Sequence, residues 1–150
     1  MAEHKREQVI EAFIAAITGL ATTGSNVKRM LVYNIQVSEL PTLIVRQSSD
    51  VPVVGDEGNR SQKFKDSELD IEVDYYVRAN SDPDSVINQI DKEVIIAVEA
   101  DATLGLSFVH DTYEGVISEP EVMSDGEYTI VKATKVFTVA YRMSETDPSQ

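Results

Sequence analysis

The spacing of apolar residues changes along the chain, and each change marks an element. Val9, Ile10, Phe13, Ile17 and Leu20 recur at three- and four-residue intervals with Ala12 and Ala16 beside them, which predicts an amphipathic helix. The cluster Thr22-Thr23-Gly24-Ser25-Asn26 stops it. An extended stretch is expected over residues 27–33, and Leu40-Pro41 restarts the backbone, because proline drives its predecessor toward extended conformations. Thr42-Leu43-Ile44-Val45-Arg46 is a β-branched, nearly continuous apolar run, the pattern of a strand buried on both faces. The clearest signal follows a polar interval. Leu69, Ile71, Val73, Tyr75 and Val77 alternate with Glu68, Asp70, Glu72, Asp74, Tyr76 and Arg78. Period two with one apolar and one acidic face predicts a half-exposed strand.

A second helix opens at Asn80-Ser81-Asp82-Pro83-Asp84, with Asp82 as N-cap, Pro83 at the first helical position and Asp84 at the positive dipole end. Val86, Ile87, Ile90, Val94, Ile95 and Val98 form its apolar stripe, and Asp101-Ala102-Thr103-Leu104-Gly105-Leu106 ends it. Two further extended segments are expected over residues 107–119 and 128–142, separated by a turn at Ser124-Asp125-Gly126-Glu127. The order α-β-β-β-α-β-β predicts a single α+β domain spanning 1–150: one mainly antiparallel sheet with both helices on one face. Residues 47–66 read as a long polar, flexible or hairpin-like loop, and 144–150 as a frayed polar tail.

Composition narrows the function classes. The 150 residues include no cysteine, which removes disulfide frameworks, cysteine zinc sites and thiol nucleophiles together. A formal net charge of -13 disfavours long-range attraction to nucleic acid or anionic lipid. No segment has the ~20 apolar residues of a membrane span. Lys5 and Arg6 precede a weakly apolar stretch, but Glu7 and Glu11 interrupt it, so an amphipathic helix is favoured over a signal peptide.

Candidate chemistry is sparse. His4 lies near a terminus and is expected to be solvent-exposed. His110 precedes Asp111, but neighbours on a strand point to opposite faces, so Asp111 cannot orient its ring as a catalytic triad requires. The glycines form no phosphate-cradling loop. Asn80, Asp82 and Asp84 match the first spacings of a calcium loop, but Ser85 and Asp91 occupy the positions of its glycine and glutamate, and a helix cap explains them better. No catalytic residue, metal site or cofactor is expected. The row Glu68, Asp70, Glu72, Asp74 places like charges ~6.6 Å apart on one strand face. Such a row serves either as a solvated face or as a surface that repels another anion.

The order of these segments resembles the tail terminator proteins of long-tailed bacteriophages, also called minor tail protein U or tail-completion proteins. The likeness runs from about Arg6 to Met143: the N-terminal helix, Glu39-Leu40-Pro41-Thr42-Leu43-Ile44-Val45, the long polar loop, the alternating strand over 69–78, the helix after Asp82, Asp101-Ala102-Thr103-Leu104-Gly105-Leu106, and Val136-Phe137-Thr138-Val139-Ala140-Tyr141-Arg142-Met143. The resemblance implies a non-enzymatic virion protein at the head-proximal end of the tail, assembled in the host cytoplasm. It would form a homo-hexameric ring on the tail tube protein, end tube polymerisation and offer a joining surface to the head–tail connector. DNA would pass through the lumen without specific binding, and no membrane is involved. A heterologous ring needs two different patches per subunit. Asp56, Glu57, Arg60, Lys63 and Lys65 in the long loop are candidates for them, and Asp70, Glu72 and Asp74 are expected to face the lumen. The alternatives are another tail or neck ring subunit (tube or head-completion), a small α+β module that captures a peptide by an edge strand or loop, and a carboxylate hydrolase.

Overall fold

A computed structural model describes residues 3–30, 40–53, 64–78, 82–125, 128–144 and 147–149. The elements run α1 (Lys5–Ile17), β1 (Val27–Arg29), β2 (Thr42–Pro52), β3 (Phe64–Arg78), α2 (Pro83–Glu99), β4 (Val109–Ile117), β5 (Glu121–Asp125) and β6 (Tyr128–Ser144). The strands make one six-stranded sheet in the order β1-β2-β3-β6-β4, with β5 also pairing β6. β1 lies parallel to β2 and every other pair is antiparallel, so the α+β expectation holds with a mixed sheet.

Strand parity sets the two faces of the sheet. Leu69, Ile71, Val73, Tyr75 and Val77 of β3 are buried and lie opposite Val139, Phe137, Lys135, Ala133 and Val131 of β6. Both helices pack on that face. Phe13 of α1 meets Phe137 with ring centroids 5.3 Å apart, and the Tyr75 hydroxyl donates to Asp91 of α2 at 2.9 Å. The helical stripes supply Val9, Ile10, Phe13 and Ile17 from α1, and Ile87, Ile90, Val94 and Val98 from α2. Each fully buried aliphatic or aromatic side chain of this layer contributes roughly 1.5–3 kcal/mol by leaving water. Among the described residues no helix covers the opposite face, which carries Asp66, Glu68, Asp70, Glu72 and Asp74.

Several local expectations change. α1 stops at Ile17, where Thr18 turns to extended backbone, and Gly19 follows at φ 90, a value that favours glycine. His4 is the N-cap of α1 and not simply exposed: its Nδ1 accepts from the Arg6 N–H at 2.9 Å. Asp82 does occupy the N-cap of α2 with Pro83 behind it, but its side chain makes no capping hydrogen bond.

The polar interval 47–66 is largely strand at its two ends. β2 runs on to Pro52 through a bulge between Gln47 and Asp50, β3 begins at Phe64, and the Val53 N–H donates to the Asp66 carbonyl. Along β2 after Arg46 the side chains are exposed except Asp50, which Arg6 of α1 holds, so backbone pairing fixes this stretch without an apolar alternation to announce it. The expected segment 107–119 holds β4, and a further strand that the pattern did not announce, β5, follows after Ser118-Glu119-Pro120, where proline cannot donate to a ladder. Within the expected 144–150 tail, the Pro148 carbonyl accepts from the Lys5 N–H at 2.7 Å.

Candidate functional site

The helix-free face of the sheet is polar because cross-strand register alternates acids with cations and hydroxyls. Asp74, only 2% exposed, lies between Ile44 of β2 and Thr134 of β6. Its carboxylate accepts two bonds from the Arg46 guanidinium at 2.9 and 3.0 Å and one from the Thr134 hydroxyl at 2.7 Å, with the Lys132 ammonium 3.9 Å away. Arg46 also reaches Glu72 at 2.8 Å. Asp70 accepts from the Thr138 hydroxyl at 2.7 Å and from Ser49 at 3.2 Å. Glu68 is exposed and has no partner among the described residues. The three residues expected to line a lumen therefore share one face, but in graded states. Asp74 is buried in an ion network, Glu72 shares that network's arginine, and Asp70 is bound by hydroxyls alone.

Of the loop candidates, Asp56, Glu57, Arg60 and Lys63 lie outside the described residues. Lys65 is the second residue of β3, and it belongs to a concentration of positive charge that runs against the chain's overall sign. His4, Lys5 and Arg6 open α1; Lys65 and Asp66 open β3; His110 opens β4; and Arg142 lies near the end of β6. Antiparallel pairing of Asp66 with Arg142 brings these ends together. Arg142 donates to Asp66 through Nε at 2.9 Å and Nη2 at 3.4 Å, and His110 Nε2 lies 3.1 Å from the same carboxylate. Arg142 first, and then His110, hold the Asp66 carboxyl below its ordinary range.

A cleft of about 310 Å³ opens beside this cluster, lined by Lys5, Phe64, Ser107, Phe108, His110 and Arg142. The Lys5 ammonium lies 4.0 Å from the centre of the Phe108 ring, a cation–π contact. Asp111 does not orient His110, as strand geometry requires; it accepts from the Thr112 N–H instead, and Asp66 takes the histidine. Ser107 makes no hydrogen bond to His110, so the nucleophile–base contact of a triad is not formed between them.

On the inner side of this end, Arg6 donates to Asp50 at 2.7 Å and the Tyr141 hydroxyl donates to the same oxygen at 2.6 Å. The other oxygen of Asp50 is buried without a partner. Burial, then the burden of His4's neighbour Arg6, lowers the pKa of His4, which keeps its capping nitrogen free to accept.

A second charged group sits inside the core. Lys135 is 3% exposed and reaches Glu114 of β4 at 2.5 Å and Asp91 of α2 at 3.7 Å. Burial, reinforced by Asp91, pushes the Tyr75 phenol far above its ordinary value, so it stays a donor to that carboxylate. Among the described residues no cluster of three or more histidines and carboxylates is arranged to hold a metal ion, and no helix is long and apolar enough to cross a membrane.

No family model and no curated protein matches the sequence. Among solved structures the chain is similar to one titled "Virion of native gene transfer agent (GTA) particle", with a TM-score of 0.42 and 9% identity over 93% of this chain and 90% of that one. A likeness at that level carries no information about function.

Proposed function

We propose that this chain is a structural virion subunit that caps the tail tube of a long-tailed bacteriophage as a hexameric ring and presents the surface that joins the head. The reading begins from the order and spacing of segments between about Arg6 and Met143. One structural observation supports it above others: among the described residues the sheet ends in two different open edges. On one side β1 pairs only with residues 43–45 of β2, which leaves the outer edge from Gln47 onward without a partner strand among the described residues. On the other side β4 and β5 share a single neighbour, β6. Two unlike edges are what a heterologous ring needs, because each subunit must offer complementary patches to its two neighbours. The helix-free face would then line the bore, its carboxylates repelling DNA phosphates.

Negative-stain microscopy of the purified protein at rising concentration, with and without magnesium, tests the ring. Six copies of the 16.6 kDa chain make a particle of roughly 100 kDa with a central hole. The cap is tested by adding the protein to polymerising tail tubes, which should stop at shorter, uniform lengths. Monomers at every concentration that also leave tube length unchanged overturn the reading and favour a peptide-capturing edge. For the bore, Glu68→Lys with Asp70→Lys should slow DNA passage in assembled particles while tails keep their normal length. Unchanged infectivity would remove the repulsion argument.

A further inference from the structure

The cleft at the basic end has cationic capacity that the chain itself does not use. Lys5 has no carboxylate partner among the described residues; its ammonium rests only on the Phe108 ring. Arg142 has five N–H donors, of which two are directed at Asp66. One carboxylate, Asp66, engages Arg142 and His110 beside the cleft, none lines it, and with Lys5 the site is net positive on a chain of net charge -13. Phe64, 53% exposed, adds an apolar wall. The group that fits is a carboxylate carried next to apolar side chains. The acidity of the whole chain argues against a nucleic-acid backbone.

The chain carries such a group where it cannot reach its own cleft. Between β4 and β5, Ser118-Glu119-Pro120-Glu121 makes an exposed corner, and Glu119 and Glu121 have no side-chain partner among the described residues. Val116, 79% exposed, and Val122, 69% exposed, flank it. Glu121 lies opposite Lys132 of β6, whereas the cleft lies at Arg142 of the same strand. At the strand rise that separates them by about 33 Å. We infer that the cleft formed by Lys5, Phe64, Phe108, His110 and Arg142 receives the Glu119–Glu121 corner of a second copy of this chain, in a heterologous head-to-tail contact. Charge and apolar surface are complementary at both ends, and one copy always leaves one cleft and one corner open for the next. The inference rests on the proposed self-association of the chain, but not on its action at a tail tube.

Zero-length carbodiimide coupling joins a lysine amine to a carboxylate only when the two touch. In an equal mixture of isotopically light and heavy chains, coupled at the concentration where self-association is seen by sedimentation, Lys5 should link to Glu119 or Glu121 in mixed light–heavy pairs. Lys5→Glu should weaken self-association about tenfold or more at low salt. Lys5→Glu combined with Glu119→Lys and Glu121→Lys should recover most of that loss, and far-UV circular dichroism checks that each variant is folded. Association unaffected by Lys5→Glu, Lys5 coupled elsewhere, or absence of any self-association overturns the contact. Rings that lack the Lys5 cross-link overturn this contact and leave the tail-cap reading standing. Cross-linked dimers or open chains that never close into rings support the contact and overturn the ring.

Discussion

Asp74→Ala is the substitution that separates a structural carboxylate from one available for function. In the folded chain Asp74 ties three strands together: β2 through Arg46, its own β3, and β6 through Thr134 and Lys132. Removing one partner of a buried ion pair costs about 3–5 kcal/mol, because the groups left behind lose their compensation in a medium where water cannot replace it. Two features place this case at the low end. The Arg46 side chain is 36% exposed and keeps Glu72 at 2.8 Å, and Lys132 can rehydrate from its partly exposed position. The expected loss is therefore about 3 kcal/mol, a large part of the ~5–15 kcal/mol that holds a domain together. Asp70→Asn is the internal control, since it weakens bonds to two hydroxyls and should cost only about 0.5–1.5 kcal/mol. Equilibrium urea unfolding, at a concentration where the protein is monomeric, reads both as shifts of midpoint at constant slope. With a slope of ~2 kcal/mol/M, Asp74→Ala should lower the midpoint by roughly 1.5 M. The difference should persist in 0.5 M salt, because a buried network is screened little. An Asp74→Ala midpoint within 0.3 M of the Asp70→Asn midpoint would refute the network as a source of stability.

Three further outcomes follow from the same geometry. Lys135→Met should destabilise by about 3 kcal/mol because it leaves Asp91 and Glu114 without their buried cation, and adding Glu114→Gln should recover part of this in the same urea assay. Gly115→Ala should cost about 1–3 kcal/mol: an added Cβ would lie 2.7 Å from the Val136 carbonyl oxygen, so β4 must shift away from β6, and amide exchange along residues 109–117 should speed up. Arg142 lowers the pKa of Asp66, so the stability this pair adds is complete above the unfolded-state value of about 3.9 and is lost as pH falls through the lower folded value. Asp66→Asn should accordingly flatten the fall of the urea midpoint between pH 5 and 2.5, and an unchanged acid limb would show that the pair contributes nothing.

The parts of the fold that bury one clean face were legible in the sequence, and the parts held by backbone pairing or long-range register were not. The alternation through Leu69–Val77 gave β3 its inward face, and the stripes of Val9–Ile17 and Ile87–Val98 gave both helices theirs. Residues 47–52 carry no such pattern because their side chains are exposed except Asp50, which Arg6 and Tyr141 hold, and backbone pairing with β3 places them. The buried lysine did leave a trace. Lys135 shares the parity of Val131, Ala133, Phe137, Val139 and Tyr141, and Asp91 sits one turn from Ile87 on the inward stripe of α2. The basic cleft left none, since Lys5, Asp66, His110 and Arg142 come from four elements and meet only once the β3–β6 register is set.

Register also decides which acids of the sheet face remain available to act on anything outside the chain. From sequence, Asp70, Glu72 and Asp74 were equivalent members of one row. In the fold, Arg46 and Lys132 neutralise the row progressively toward Asp74, and Arg142 neutralises Asp66 at the other end, where His110 also contacts it. The centre, Glu68 and Asp70, has no cation partner among the described residues. If this face lines a bore, its repulsion of phosphate originates in that central pair, repeated around the ring. A lysine at position 74 would place a third cation against Arg46 and Lys132 and report on folding. Lysines at 68 and 70 meet no buried charge, so a change in DNA passage there, with tail length preserved, reports on the lumen itself.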